Sequence, residues 1–182
     1  KRTVVFVAFS GEEHGLLGAH ALVNEGVLPL RNLVAMLNLD MVGGNPADPL
    51  MVESTEAAPE LRALFASAAA DLGVELTWPE HRGRSDHDVF FRAGVPAVHL
   101  FSGTHDAYHT VHDEAEGVDM AKVATAATLT HRVAVALASG TEAIAYTWSI
   151  DWLGATLVDD GQRLQVGEIT PGTTAERSGL RP

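Results

Sequence analysis

Four side chains stand where an ordinary buried element has no use for them. Glu12 and Glu13 are adjacent and follow the apolar run TVVFVAF, residues 3–9, after its Ser10-Gly11 stop. Asp40 sits inside LNLDMVG, between leucine and methionine, where a lone carboxylate is expensive to bury. His109 lies in the loop HDAYHTVHD, past another apolar run. Two like charges side by side raise each other's energy unless something positive faces them. Carboxylates with an imidazole and no thiolate suit a catalytic zinc, which keeps a position open for water, better than a closed structural site. Each residue also has a plainer explanation. Glu12 and Glu13 could favour the start of the following helix, Asp40 could cap a turn before Gly43-Gly44, and His109 is one of nine histidines. Taken together, three strand ends with metal-compatible groups point to a metal hydrolase.

The elements that must position these groups are readable from apolar periodicity. Residues 3–9 and 32–44 read as buried strands, 50–53 and 74–78 as shorter ones, and PAVHLFS, residues 96–102, as another buried strand. Helical spacing runs from Leu16 to Val23, with Gly26 as a stop. Residues 58–73 carry Pro59 in the first turn and Gly73 as a terminator. DHDVFFRAG makes one or two helical turns, and residues 119–138 form a long alanine-rich helix. Apolar strands alternating with helices imply a sheet covered on both faces. The expected fold class is therefore α/β: a three-layer α/β/α sandwich around a mostly parallel or mixed sheet. Sites in such folds form at strand ends, where loops meet.

Composition narrows the field. The 182 residues are 46% hydrophobic and 20% charged, as in a globular chain, and the formal net charge is −12. That sign argues against nucleic acid as a partner. No apolar run reaches the length of a membrane span. The absence of cysteine excludes disulfides and thiolate metal sites. After Gly140 the texture changes to short strand-like runs with turns at Asp160-Gly161 and Pro171-Gly172. Residues 141–151 read as a linker and 152–182 as a short β-rich tail.

The blocks FVAFSGEEHGLLGAHALV, LNLDMVG and SDHDVFFRAGVPAVHLFSGTHDAYHTVHD, in that order, resemble the di-zinc aminopeptidase family (metallopeptidase family 28, clan MH). The resemblance spans roughly residues 3–138, so residues 1–140 are expected to be the C-terminal portion of a zinc exopeptidase catalytic domain. It implies Glu12 as general base, Glu13 and His109 as ligands of one zinc and Asp40 as a ligand of the other. It also implies peptide substrates and a secreted or periplasmic location. SDHDVFF matches a segment near the family's substrate pocket, which makes Asp86, His87 and Phe90 candidate substrate-binding residues. Tyr108, beside the ligand, is a candidate for substrate contact or for orienting its loop. Phe91, His20 and His99 read as structural. The family further uses an upstream histidine and a bridging aspartate, both in segments before the strand at which this chain begins. The expectation is a fragment that is inactive alone.

The stretch from WLGATL to VGEITPGTTAERSGLRP resembles the start of a PDZ domain, which implies capture of peptide C-termini by strand addition in an intact version. Two other readings share the scaffold: a glutaminyl cyclase, and a non-catalytic peptide-binding domain.

Overall fold

A computed structural model describes residues 1–141, 143–150, 155–159, 164–169, 171, 176, 179 and 181. The strands β1 (Met36–Leu39), β2 (Leu50–Glu53), β3 (Leu76–Thr77) and β4 (Ala97–Phe101) form one sheet in the order β1-β4-β2-β3. The pairs β1/β4 and β2/β3 are parallel, and β2/β4 is antiparallel, so the sheet is mixed. Helices α1 (Leu17–Asn24), α2 (Pro59–Leu72), α3 (His87–Arg92) and α4 (Met120–Ser139) cover it.

Alternation along the strands decides which helix covers which face. Leu50, Val52, Val98 and Leu100 point to one side and meet Leu61 and Phe65 of α2 and Ala126, Leu129 and Val133 of α4. Ala97 points to the other side and packs with Ala19 of α1 and Val89, Phe90 and Phe91 of α3. The result is the expected α/β/α sandwich. Helix ends follow their residues. Pro59 occupies the first turn of α2, Gly73 closes it at φ 66°, and the Asp119 carboxylate accepts from the N–H groups of Ala121 and Lys122 at the start of α4.

One element differs from its sequence pattern. Residues 3–9 belong to no strand, and Phe6 is 94% exposed. Val4, Val5 and Val7 are exposed as well. A β-type sequence becomes a strand only where a neighbour supplies hydrogen bonds and a surface to cover it. Here the segment is tethered instead at Arg2, whose N–H donates to the Ala138 carbonyl of α4 at 2.8 Å. The run at 32–44 also yields a shorter strand than its length suggests, because Leu30–Asn32 form a 3-10 turn ahead of β1.

Beyond α4, a second sheet of three antiparallel strands comprises β5 (Tyr146–Ile150), β6 (Ala155–Asp159) and β7 (Leu164–Ile169). The first of these lies within the stretch that reads as a linker. Tyr146 is buried against α3, its ring edge-on to Phe91 and its hydroxyl donating to the Phe91 carbonyl at 2.5 Å. Burial raises its phenol pKa, with Glu56 and Asp88 adding to the effect.

Fully buried Phe65 and exposed Phe6 give a direct test of this packing. Phe65→Ala is expected to lower the unfolding free energy by about 3–5 kcal/mol, and Phe6→Ala to change it by no more than about 0.5 kcal/mol. Urea titration reads both. A comparable loss at both positions would mean that residues 3–9 are in the core after all.

Candidate functional site

The glutamate pair sits on a loop that folds back over itself. Gly11 at φ 66° and Gly15 at φ 96° bracket a 3-10 turn over Glu12–His14, a conformation that glycine reaches without strain. The N–H of Leu16 donates to the Glu12 carbonyl at 2.9 Å, and that of Gly18 to the Ser10 carbonyl at 2.9 Å. A Cβ on Gly18 would lie 2.7 Å from that Ser10 oxygen, so only glycine lets α1 start against the loop. Neither glutamate caps α1, which begins after Leu16 without a side-chain cap.

His109 reaches the loop from the far side of the sequence. Its Nε2–H donates to Glu13 Oε1 at 2.9 Å, across 96 positions. The backbone of His109 is left-handed, φ 58°, an uncommon state for a residue with a side chain. Tyr108 stacks on the imidazole at 3.8 Å and 22° and remains partly open to solvent.

Asp40 follows β1 and continues its ladder, its N–H donating to Leu100 at 3.3 Å. Its Oδ2 accepts from Ser85 Oγ at 2.8 Å, and Ser85 Oγ accepts from Asn38 Nδ2 at 2.8 Å. Asn38 and Ser85 are buried, so this chain of donors fixes the carboxylate from beneath. The sequence reading missed both residues. Asn38 carried a signal, since it lies two positions before Asp40 and therefore on the same face of a strand.

Negative charge accumulates here. The Glu12 pKa is raised by burial first and then by the charges of Asp40, Glu13 and Asp86, with His99 acting in the opposite direction. Asp86 is raised by burial and then by Asp40. Burial and then the charges of Glu13, Glu12 and Asp40 raise Tyr108, against a smaller lowering by Arg84. Glu12, Glu13, Asp40 and Asp86 thus share one electrostatic neighbourhood. Glu13 and His109 offer an oxygen and a nitrogen donor side by side, and Asp40 offers an oxygen held in place by Ser85. These donor types fit zinc. No three His, Asp or Glu donors drawn from this set lie within 4.8 Å of one another among the described residues.

The other candidates divide by depth. Asp86 is buried within reach of the charge cluster, while His87 and Phe90 lie in the interior under it. His87 is fully enclosed, and burial, reinforced by His99 and His81, pushes its pKa down to about 3. His81, also missed, accepts from Ser54 Oγ at Nδ1 and donates from Nε2 to Asp88, both at 2.8 Å. Arg92 donates to the same carboxylate, and these bonds lower the Asp88 pKa against the opposing effect of burial.

Residues 1–134 match the model of peptidase family M28. A probable zinc metalloprotease of Pyrenophora tritici-repentis is 54% identical over 48 residues, which is 26% of this chain and 11% of that protein. A probable leucine aminopeptidase of Arthroderma benhamiae is 28% identical over 146 residues, covering 76% of this chain and 40% of the relative. A zinc aminopeptidase structure from Bacillus subtilis superposes with a TM-score of 0.63 at 29% identity, covering 72% of this chain and 34% of that one. The chain therefore spans less than half the length of each of these.

The raised carboxyl groups make a stability prediction with a definite sign. Glu12 and Asp86 hold protons more tightly folded than unfolded, so stability is greatest below the unfolded value, about pH 4, and falls as pH rises through the folded pKa. Glu12→Gln removes one contributor. Without added metal, its thermal midpoint is expected to exceed the wild type's at pH 7 and to converge on it near or below pH 4. Parallel pH profiles for the two would show that Glu12 feels no such cluster.

Proposed function

This chain belongs to peptidase family M28, and from that premise we propose that it carries the general base and three metal ligands of a zinc-dependent aminopeptidase. The observation that carries the reading is the Glu13–His109 contact, formed across 96 positions next to a glutamate whose proton affinity is raised. In this reading Glu13 and His109 hold one zinc and Asp40 holds a second. Two such ions would polarise the scissile carbonyl and acidify the attacking water.

The protein's own part is proton transfer and positioning. Glu12 accepts the water's proton on its carboxylate and delivers it to the departing amine, so the same group serves as base and then as acid. A raised pKa suits both roles, because the carboxyl has to take the proton and then hold it until the amine leaves. Ser85 and Asn38 keep Asp40 from turning away. Tyr108 borders the open side by which a peptide's N-terminus arrives. Asp86 contributes charge beside Glu12 and Asp40, and His87 and Phe90 lie in the interior beneath them.

In a longer protein that includes this chain, Glu12→Gln is expected to keep zinc and substrate binding while lowering turnover by about 10²–10⁴-fold. Glu13→Ala should instead lose zinc. Metal analysis alongside hydrolysis of amino-acid nitroanilides separates the two, and a Glu12→Gln enzyme with undiminished turnover would remove Glu12 from the mechanism. Cyclisation of N-terminal glutamine peptides in place of hydrolysis would reassign the same groups to acyl transfer. The 182 residues alone supply three of the implied ligands and no bridge between two ions, so the isolated chain is expected to be inactive on these amides even with zinc. Robust zinc-dependent turnover would mean that another donor, such as Asp86 or His105, completes the centre.

A further inference from the structure

A polar row crosses the middle of the sheet on the face covered by α3. His99 on β4 stands opposite Asn38 on β1 and opposite Glu53 on β2. Above the row, at the start of α3, the ring of His87 stacks on that of His99 with centroids 4.8 Å apart. Glu53, His87 and His99 are 1%, 0% and 2% exposed. Asn38 is satisfied by Ser85. The other three are not. Glu53 Oε2, His99 Nδ1 and both ring nitrogens of His87 lack any hydrogen-bond partner among the described residues. Buried polar atoms are rarely left so, and a buried carboxylate without a counter-charge is among the least tolerable cases.

The geometry says what is missing. His99 Nε2 lies 3.4 Å from the Asp40 carbonyl, which can only accept, so Nε2 carries the proton and Nδ1 presents a lone pair. That Nδ1 faces Glu53 Oε2 at 3.6 Å. The separation is too long for a hydrogen bond. It is close to the spacing of about 3.4 Å between two donors on one tetrahedral zinc with bonds of ~2.0–2.1 Å. A nitrogen of His87 completes a set of three donor atoms, all within 4.8 Å of one another, and no other such trio occurs among the described residues. Metal-bound histidines characteristically donate their second N–H to a carbonyl or carboxylate, as His99 does to Asp40.

We propose that Glu53, His87 and His99 form a buried divalent-cation site, built for zinc and separate from the cluster of Glu12, Glu13, Asp40 and His109. Two neutral imidazoles and a carboxylate favour zinc over magnesium or calcium, which prefer all-oxygen shells. The donor set is of the kind that leaves a fourth position open, but its ligands are enclosed, so the ion acts on the fold and not on a substrate. It neutralises Glu53, ties β2, β4 and α3 together, and holds His99 against the backbone of Asp40. The inference does not depend on the aminopeptidase reading.

The decisive variant leaves the buried trio untouched. In the full 182-residue chain, Glu13→Ala, Asp40→Ala and His109→Ala together remove the three metal-ligand candidates of the other cluster, while the Asp40 carbonyl remains. After incubation with zinc and gel filtration in metal-free buffer, this triple variant is expected to retain one equivalent by mass spectrometry. Its zinc K-edge absorption should show two imidazoles, and the ion should leave to a chelator only slowly, through local opening of the fold. Glu53→Gln and His87→Gln should each lose that equivalent. A triple variant that emerges without zinc would overturn the proposal and assign the space to trapped water. Zinc surrendered within the mixing time would overturn it equally, as the mark of a surface histidine.

Discussion

The parallel pairing of β1 with β4 is the constraint on which the candidate site depends. Two strands that run the same way deliver their following loops to the same edge of a sheet. Leu39 lies opposite Leu100, so the chain leaves both strands together, and the crossing bonds of Asp40 to Leu100 and of Ser102 to Met41 hold the two exits in step. Asp40 and the loop that carries His109 are neighbours for this reason alone. An antiparallel pairing would have placed them at opposite ends. The antiparallel partner β2 has a different effect: it brings Glu53 beside His99, inside the sheet and not at its rim.

The candidate site residues stand out in the sequence because each breaks a local pattern. A glutamate pair after an apolar run and an aspartate between leucine and methionine stand out with no knowledge of the fold. Helix limits were also local, set by Pro59, Gly73 and Asp119. What was not legible depended on neighbours from elsewhere in the chain. Residues 3–9 have strand composition but pair with nothing in the described sheet. Ser85 means little until Asp40 and Asn38 arrive on either side of it. Glu53 read as the last residue of an apolar run, and His99 as one more structural histidine. Their significance comes from cross-strand register, which no window of sequence contains.

Charge crowding and stability pull against each other at the glutamate loop. The neighbours that raise Glu12's affinity for a proton are carboxylates, and the same crowding disfavours their joint ionisation. Glycines at positions 11 and 15 and a left-handed His109 hold the groups in place despite that repulsion. Such concentration of like charge and backbone strain is typical of sites that bind a cation or move a proton.

The exposed run from Val4 to Val7 bears on how this molecule behaves in crowded solution. It presents backbone outside any described ladder and a bare phenyl ring at Phe6, the combination that invites edge-to-edge association between copies. Opposing it is a net charge of −12 per chain, which keeps copies apart by mutual repulsion. Salt shortens the reach of that repulsion to roughly 8 Å at physiological ionic strength while leaving the apolar attraction intact. Colloidal stability of this chain is therefore expected to rest on long-range charge, so that self-association rises with ionic strength.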